Sequence, residues 1–144
     1  MTAVGDFDQV VEQCQRALGE FVKGYPEPWQ KLWSHREDAT LASTNGPAVR
    51  GWEQVAETLE RNASLVSDGE ITSFETVAKY VTSELAYIVW VEHTKAKAGG
   101  REDIASFALR VTTTFRPEAG TWKVVHRHAD PITTARPIES VLQE

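Results

Sequence analysis

The order and spacing of the apolar residues predict an α+β fold. Through the first half of the chain, apolar residues recur at three- and four-residue intervals, the period of amphipathic helices. From Ile71 onward the period changes to two, the period of strands. The stretch Phe107–Asp130 (FALRVTTTFRPEAGTWKVVHRHAD) places two β-rich runs either side of Pro117-Glu118-Ala119-Gly120, which reads as a long hairpin. Helices followed by a run of strands mean α+β rather than alternating βαβ units. The predicted architecture is a curved antiparallel sheet wrapped around three helices of the N-terminal half. It is a cone with a cavity between helices and sheet. At 144 residues one domain is expected over 1–144, with a core at about 6–131 and a tail at 132–144.

Asp6 to Gly24 is predicted as the first helix, with Asp6 capping its start and Gly24 stopping it. Phe7, Val10, Val11, Cys14, Leu18, Phe21 and Val22 form its apolar stripe. Cys14 on that stripe reads as a small buried hydrophobe rather than a reactive thiol. Tyr25-Pro26-Glu27-Pro28 breaks the helix, and a short second helix is expected over about Pro28 to Ser34. Trp29 and Trp33 lie four apart and share a face. They either pack the core or wall a ligand cavity. The weakly β stretch that ends at Asn45, and Val49 to Gly51 after the Asn45-Gly46-Pro47 turn, read as short strands. Trp52 to Val66 is the third helix, ended by Ser67-Asp68-Gly69. The long strands are expected at Ile71–Tyr80, at Leu85–Lys97, from about Asp103, and after Gly120 to about Asp130. Pro131 and Pro137 mark an irregular tail, with Ile138, Val141 and Leu142 expected to pack back as a turn of helix.

Composition narrows the function classes. The formal net charge is −6 with no basic run, so no general attraction for nucleic acid or anionic membrane is expected. One cysteine, Cys14, excludes an internal disulfide and a cysteine-based zinc site. No apolar run approaches the roughly 20 residues that span a bilayer, and the N-terminus lacks the features of a signal peptide. A cytoplasmic protein is therefore expected. No phosphate-binding glycine loop and no Gly-x-Ser-x-Gly elbow is present. No cofactor is expected.

In Leu85–Val91 both sets of alternating residues are largely apolar. An antiparallel sheet with one wet face should alternate cleanly. The second face is therefore expected to pack on another copy of the chain in a symmetric dimer.

Pairing the strands about Gly100 places Trp90 opposite Arg110 and Glu92 diagonal to it. Pairing the last hairpin so that Arg110 meets His128 places Thr112 opposite His126. Glu92, Arg110, His126 and His128 then share one face, framed by Trp90, and a one-residue slip would part them. This cluster has two readings. In one, Glu92–Arg110 is a buried ion pair and the histidines are hydrogen-bonded structural residues. In the other, Arg110 recognises an oxyanion while His126 or His128 acts as acid or base near neutral pH. His126, His128 and Asp130 on one strand face would also be compatible with zinc or iron, but no metal site is expected.

With these residues in view, the chain resembles the SnoaL-like, ketosteroid-isomerase-like members of the nuclear transport factor 2 superfamily over about residues 6 to 131. The most specific piece is Phe-Arg-x-x-x-Gly-x-Trp-Lys-Val-Val-His-x-His at 115–128. It is similar to a hairpin in the calcium/calmodulin-dependent kinase II association domain, and Leu85-Ala86-Tyr87-Ile88 resembles the matching strand there. The resemblance implies a pocketed cone that hosts isomerase, cyclase or hydrolase-type chemistry on a small organic substrate, or a non-catalytic association module. Matching the isomerases' Asp-Ala-Thr-Val onto Asp38-Ala39-Thr40-Leu41 puts their carboxylate base at about Ser43, and their second acid near Val111. Both departures argue against steroid isomerisation. The expected site is a cavity lined by Trp29, Trp33, Trp52, Tyr87, Trp90 and Glu92, with Arg110, His126 and His128 as the chemistry-bearing residues.

Overall fold

The computed structural model describes residues 5–143, and its first helix, α1, spans Phe7–Phe21. Asp6 caps it, its carboxylate accepting the Asp8 N–H at 2.9 Å. The stripe read from spacing is the buried one, with Phe7, Val10, Cys14, Ala17 and Leu18 turned inward. The second helix, α2, is Glu27–Gln30 and ends short of the expected Ser34. Competition from the sheet shortens it. The Ser34 N–H donates to the Val124 carbonyl at 2.8 Å, and the Val124 N–H donates to the Leu32 carbonyl at 2.9 Å. Residues 32–34 therefore run alongside a strand instead of extending the helix. Trp29 and Trp33 still meet edge to face, with centroids 5.9 Å apart.

Two short strands follow, β1 at Thr40–Ala42 and β2 at Ala48–Arg50, then α3 at Trp52–Ala63. The long strands are β3 (Val66–Val81), β4 (Ala86–Ala98), β5 (Ala105–Glu118) and β6 (Thr121–Asp130). They form one six-stranded sheet in the order β2-β1-β6-β5-β4-β3. All neighbours are antiparallel except β1 and β6.

β3 begins at Val66, before the expected Ile71, because Ser67-Asp68-Gly69 is a bulge within the strand and not its boundary. Asp68 takes φ of 52° there. Gly69 donates its N–H to the Val22 carbonyl, and a Cβ at this position would collide with that carbonyl. The glycine thus lets β3 cross the end of α1 at backbone distance. Two further irregularities in the β3–β4 pairing help to curve the sheet.

Burial alternates cleanly along β4. Ala86, Ile88, Trp90, Glu92, Thr94 and Ala96 face the helices, and the residues between them face outward. Register then decides what joins them. Trp90 lies opposite Val111, and Arg110 lies opposite Val91. This is one residue from the expected pairing, so Arg110 sits on the face opposite Glu92 and Trp90. In the last hairpin Arg110 pairs with Asp130 and Thr112 with His128, two residues from expectation, which preserves the shared face. A bulge at Val125 separates the Phe115–Val124 pair from the Thr114–His126 pair. It resets the alternation, so Trp122 and Val124, then Arg127 and Ala129, point inward.

Phe7 seals the end of the core edge-on against Phe115 and Trp122, at 5.0 and 5.4 Å. The Trp122 indole N–H donates to the Gly5 carbonyl at 2.9 Å. The tail departs from expectation. Ile138–Val141 forms a 3-10 turn, but Ile138, Val141 and Leu142 are all exposed rather than packed back. No helix among the described residues is long and apolar enough to cross a membrane.

Candidate functional site

A cavity of about 410 Å³ lies between the helices and the inner face of the sheet. That is within the size range of small-molecule sites. Leu18 and Phe21 of α1, Trp29 of α2 and Leu59 of α3 form its helical side. Leu41, Phe107, Leu109 and Ala129 supply apolar lining from the sheet. Thr94 and the β1–β2 loop residues Ser43, Thr44 and Asn45 add uncharged polar groups.

Among the described residues, the cavity lining holds one charged pair. The two terminal nitrogens of Arg127 donate to the two carboxylate oxygens of Glu92, at 2.8 and 3.0 Å. The Trp90 indole N–H donates to the same oxygen, Glu92 Oε1, at 3.0 Å. The side chains of Arg127 and Glu92 are only 10% and 4% exposed, which makes this a buried ion pair. The Arg127 guanidinium lies 5.8 Å from the Trp29 ring centroid, a cation–π distance. Its charge also reaches Cys14, whose thiol burial pushes up to about 12 against that opposing pull. Cys14 is thus a protonated core residue.

The expected site residues divide between the two faces. Trp29 and Glu92 line the cavity. Trp90 lies buried on the inner face and orients Glu92. Trp33 is buried in the core outside the lining, its indole nitrogen unpartnered among the described residues. Trp52 is half-buried and stacks on His35 at 3.9 Å, also away from the cavity. Tyr87 faces outward and stacks on Tyr80.

Arg110, His126 and His128 occupy the outer face, so the expected grouping of these three with Glu92 and Trp90 does not form. Arg110 Nε sits 2.8 Å from Asp130 Oδ1, and His128 Nε2 lies 2.9 Å from Asp130 Oδ2. Burial alone would raise the Asp130 carboxyl. Hydrogen bonds from Arg110, the Ile132 N–H and His128 outweigh it and hold the group below the usual carboxylate range. His126 Nδ1 contacts Thr40 Oγ1 at 2.8 Å. Burial lowers the His126 imidazole below its ordinary value and the nearby His128 adds to this, while hydrogen bonding with the Thr40 backbone opposes. No group of three metal-competent side chains occurs among the described residues.

Sequence reasoning missed Arg127. The signal was present, since an arginine amid strand residues such as Val124 and Ala129 must find a buried partner. Simple alternation, however, put it opposite the two histidines and out of the expected site. The positions matched to the isomerases' acids are also informative. Ser43 does line the cavity, with Asn45 as its hydrogen-bond partner at 3.5 Å, whereas Val111 is closed inside the core. Asp38 makes a two-point ion pair with Arg116, at 2.7 and 2.9 Å, that ties the β5–β6 hairpin to the approach to β1. That hydrogen bonding holds the Asp38 carboxyl below its ordinary value.

The model of the SnoaL-like domain matches residues 26–133. Similar solved structures include a nuclear transport factor 2-like superfamily protein from Salmonella enterica, 15% identical, covering 93% of this chain and 99% of that one, with a TM-score of 0.73. A ketosteroid isomerase-like protein from Erwinia carotovora is 17% identical over 88% of this chain and 96% of that one, TM-score 0.70. A candidate calcium/calmodulin-dependent protein kinase II association domain from Xanthomonas campestris is 16% identical over 91% of each chain, TM-score 0.67. At these identities the likeness concerns the fold. No curated protein matches the sequence.

Proposed function

Starting from the chain's membership of the SnoaL-like domain family, we propose that this protein binds a small organic molecule in the cavity floored by Glu92 and Arg127. One observation carries this reading. A single charged pair is set into an otherwise uncharged lining, around a volume that side chains leave open. A closed structural salt bridge would need no such space, and a purely packed core would fill it. Any acid or base step at this site would fall to Glu92, with Arg127 as a fixed cation beside it, and not to Arg110, His126 or His128, which lie outside the lining.

A second reading, self-association through the outer face of the sheet, has its own support. Val89 and Val91 remain partly exposed there beside Tyr80 and Tyr87. The Arg110–Asp130–His128 group next to them offers charges of both signs to a symmetry-related copy. The two readings are compatible, since they use opposite faces.

A thermal-shift screen of small organic compounds tests the first. A ligand present at a hundred times its Kd stabilises the folded state by about 2.7 kcal/mol. Leu109→Trp, which fills the cavity from β5, should abolish the shift, and Arg110→Ala should leave it intact. The cavity assignment fails if no compound raises Tm, or if Arg110→Ala removes a shift that Leu109→Trp preserves.

A further inference from the structure

We infer that the cavity selects uncharged, largely apolar molecules that carry a hydrogen-bonding oxygen, and discriminates against carboxylates and other anions. This deepens the small-molecule reading above and rests on it. An arginine in a pocket commonly signals an anionic ligand, but here its charge is already matched. Glu92 engages both terminal nitrogens of Arg127 at 2.8 and 3.0 Å, and among the described residues these two are the only charged ones in the lining. The lining is therefore neutral overall. An anion entering it would lose its hydration and meet no unpaired cation, and a cation would meet no unpaired carboxylate. A neutral molecule avoids that penalty.

The pair still offers directional hydrogen bonds. A guanidinium has five N–H groups, and Glu92 takes one from each terminal nitrogen. Among the described residues, the remaining N–H groups of Arg127 have no protein acceptor. Glu92 Oε1 already accepts from both Trp90 and Arg127, whereas Oε2 accepts from Arg127 alone. The floor thus presents several donors and one acceptor position, which suits a ketone or an alcohol oxygen. Trp29 beneath the guanidinium and the apolar walls take up the rest of the molecule. Thr94, two residues from Glu92 on the same inward row, adds a hydroxyl.

Three probes of matched shape test this: 2-acetylnaphthalene, 2-ethylnaphthalene and 2-naphthoate, with binding read from tryptophan fluorescence and calorimetry at pH 7.5. The ketone should bind about tenfold more tightly than the hydrocarbon, since it gains a hydrogen bond to a charged donor. It should exceed the naphthoate by at least as much. The pair is then neutralised together as Glu92→Gln with Arg127→Met, so that no lone charge is left buried. The ketone's advantage over the hydrocarbon should shrink at least about threefold, since the guanidinium donors are gone and only the weaker amide at position 92 remains, while hydrocarbon affinity stays within about threefold. Naphthoate binding as tightly as the ketone would overturn the neutral selectivity and leave the pocket standing. Equal affinity for ketone and hydrocarbon in the wild type would overturn the oxygen-recognition role. Failure of all three probes to bind would overturn the pocket reading and this inference with it.

Discussion

Removing one partner of the buried pair is the sharpest test of how the site is built. Arg127→Met keeps most of the side-chain volume but leaves the Glu92 carboxylate with only the Trp90 N–H as a donor. With charge centres about 4 Å apart and an effective dielectric of about 20, the lost attraction is about 4 kcal/mol. Breaking one side of a buried pair ordinarily costs about 3–5 kcal/mol, so the two routes agree. Glu92→Gln keeps the shape and leaves the guanidinium over Trp29 uncompensated, and it should destabilise to a similar extent. The double variant removes both charges and should lose less than the two single variants added together, with a coupling of at least about 2 kcal/mol. Urea denaturation followed by tryptophan fluorescence measures all four species, and a common slope validates the comparison. Single-variant losses below about 1 kcal/mol, or simple additivity, are the behaviour of a water-screened surface pair. That outcome would refute the burial on which the neutral cavity depends.

The remaining predictions concern the outer face and acid stability. Sedimentation at micromolar concentration should show a dimer that Val91→Lys dissociates, because this substitution places like charges across a symmetric contact. A wild-type monomer would remove the association reading. His126 has a folded pKa below its unfolded value of about 6.5. The unfolded chain therefore binds its proton more readily, and stability must fall as pH drops through about 6.5 and level off below the folded value. His126→Gln should flatten that part of the stability–pH curve, and an unchanged curve would contradict the assignment. Asp130, Asp38 and Glu118 are lowered too, so their contributions are present above roughly pH 4 and are lost only as pH falls through their folded values, a separate window.

Much of this molecule was legible from residue order. The stripe from Phe7 to Leu18 became the buried face of α1, and the change of period near Ile71 marked the sheet. The Phe107–Asp130 segment became the β5–β6 hairpin, and Trp29 and Glu92 are among the residues around the cavity. Boundaries were less legible where tertiary contacts competed with local preference. Trp33 lies beyond the end of α2 because Leu32 and Ser34 exchange backbone hydrogen bonds with Val124. Gly69, with the look of a terminator, instead permits β3 to pass α1.

Composition and periodicity alone determined the helices, the strands and the presence of a mid-strand arginine that must be paired. Which arginine enters the cavity was decided only in three dimensions. The side-chain period of a strand is two, so a one-residue shift between β4 and β5 turns Arg110 away from Glu92. The Val125 bulge turns Arg127 toward it. Neither event has a local sequence cost that could have announced it. Both are settled by how whole strands fit against the helices, and a single residue of register exchanges the inside of the protein for its outside.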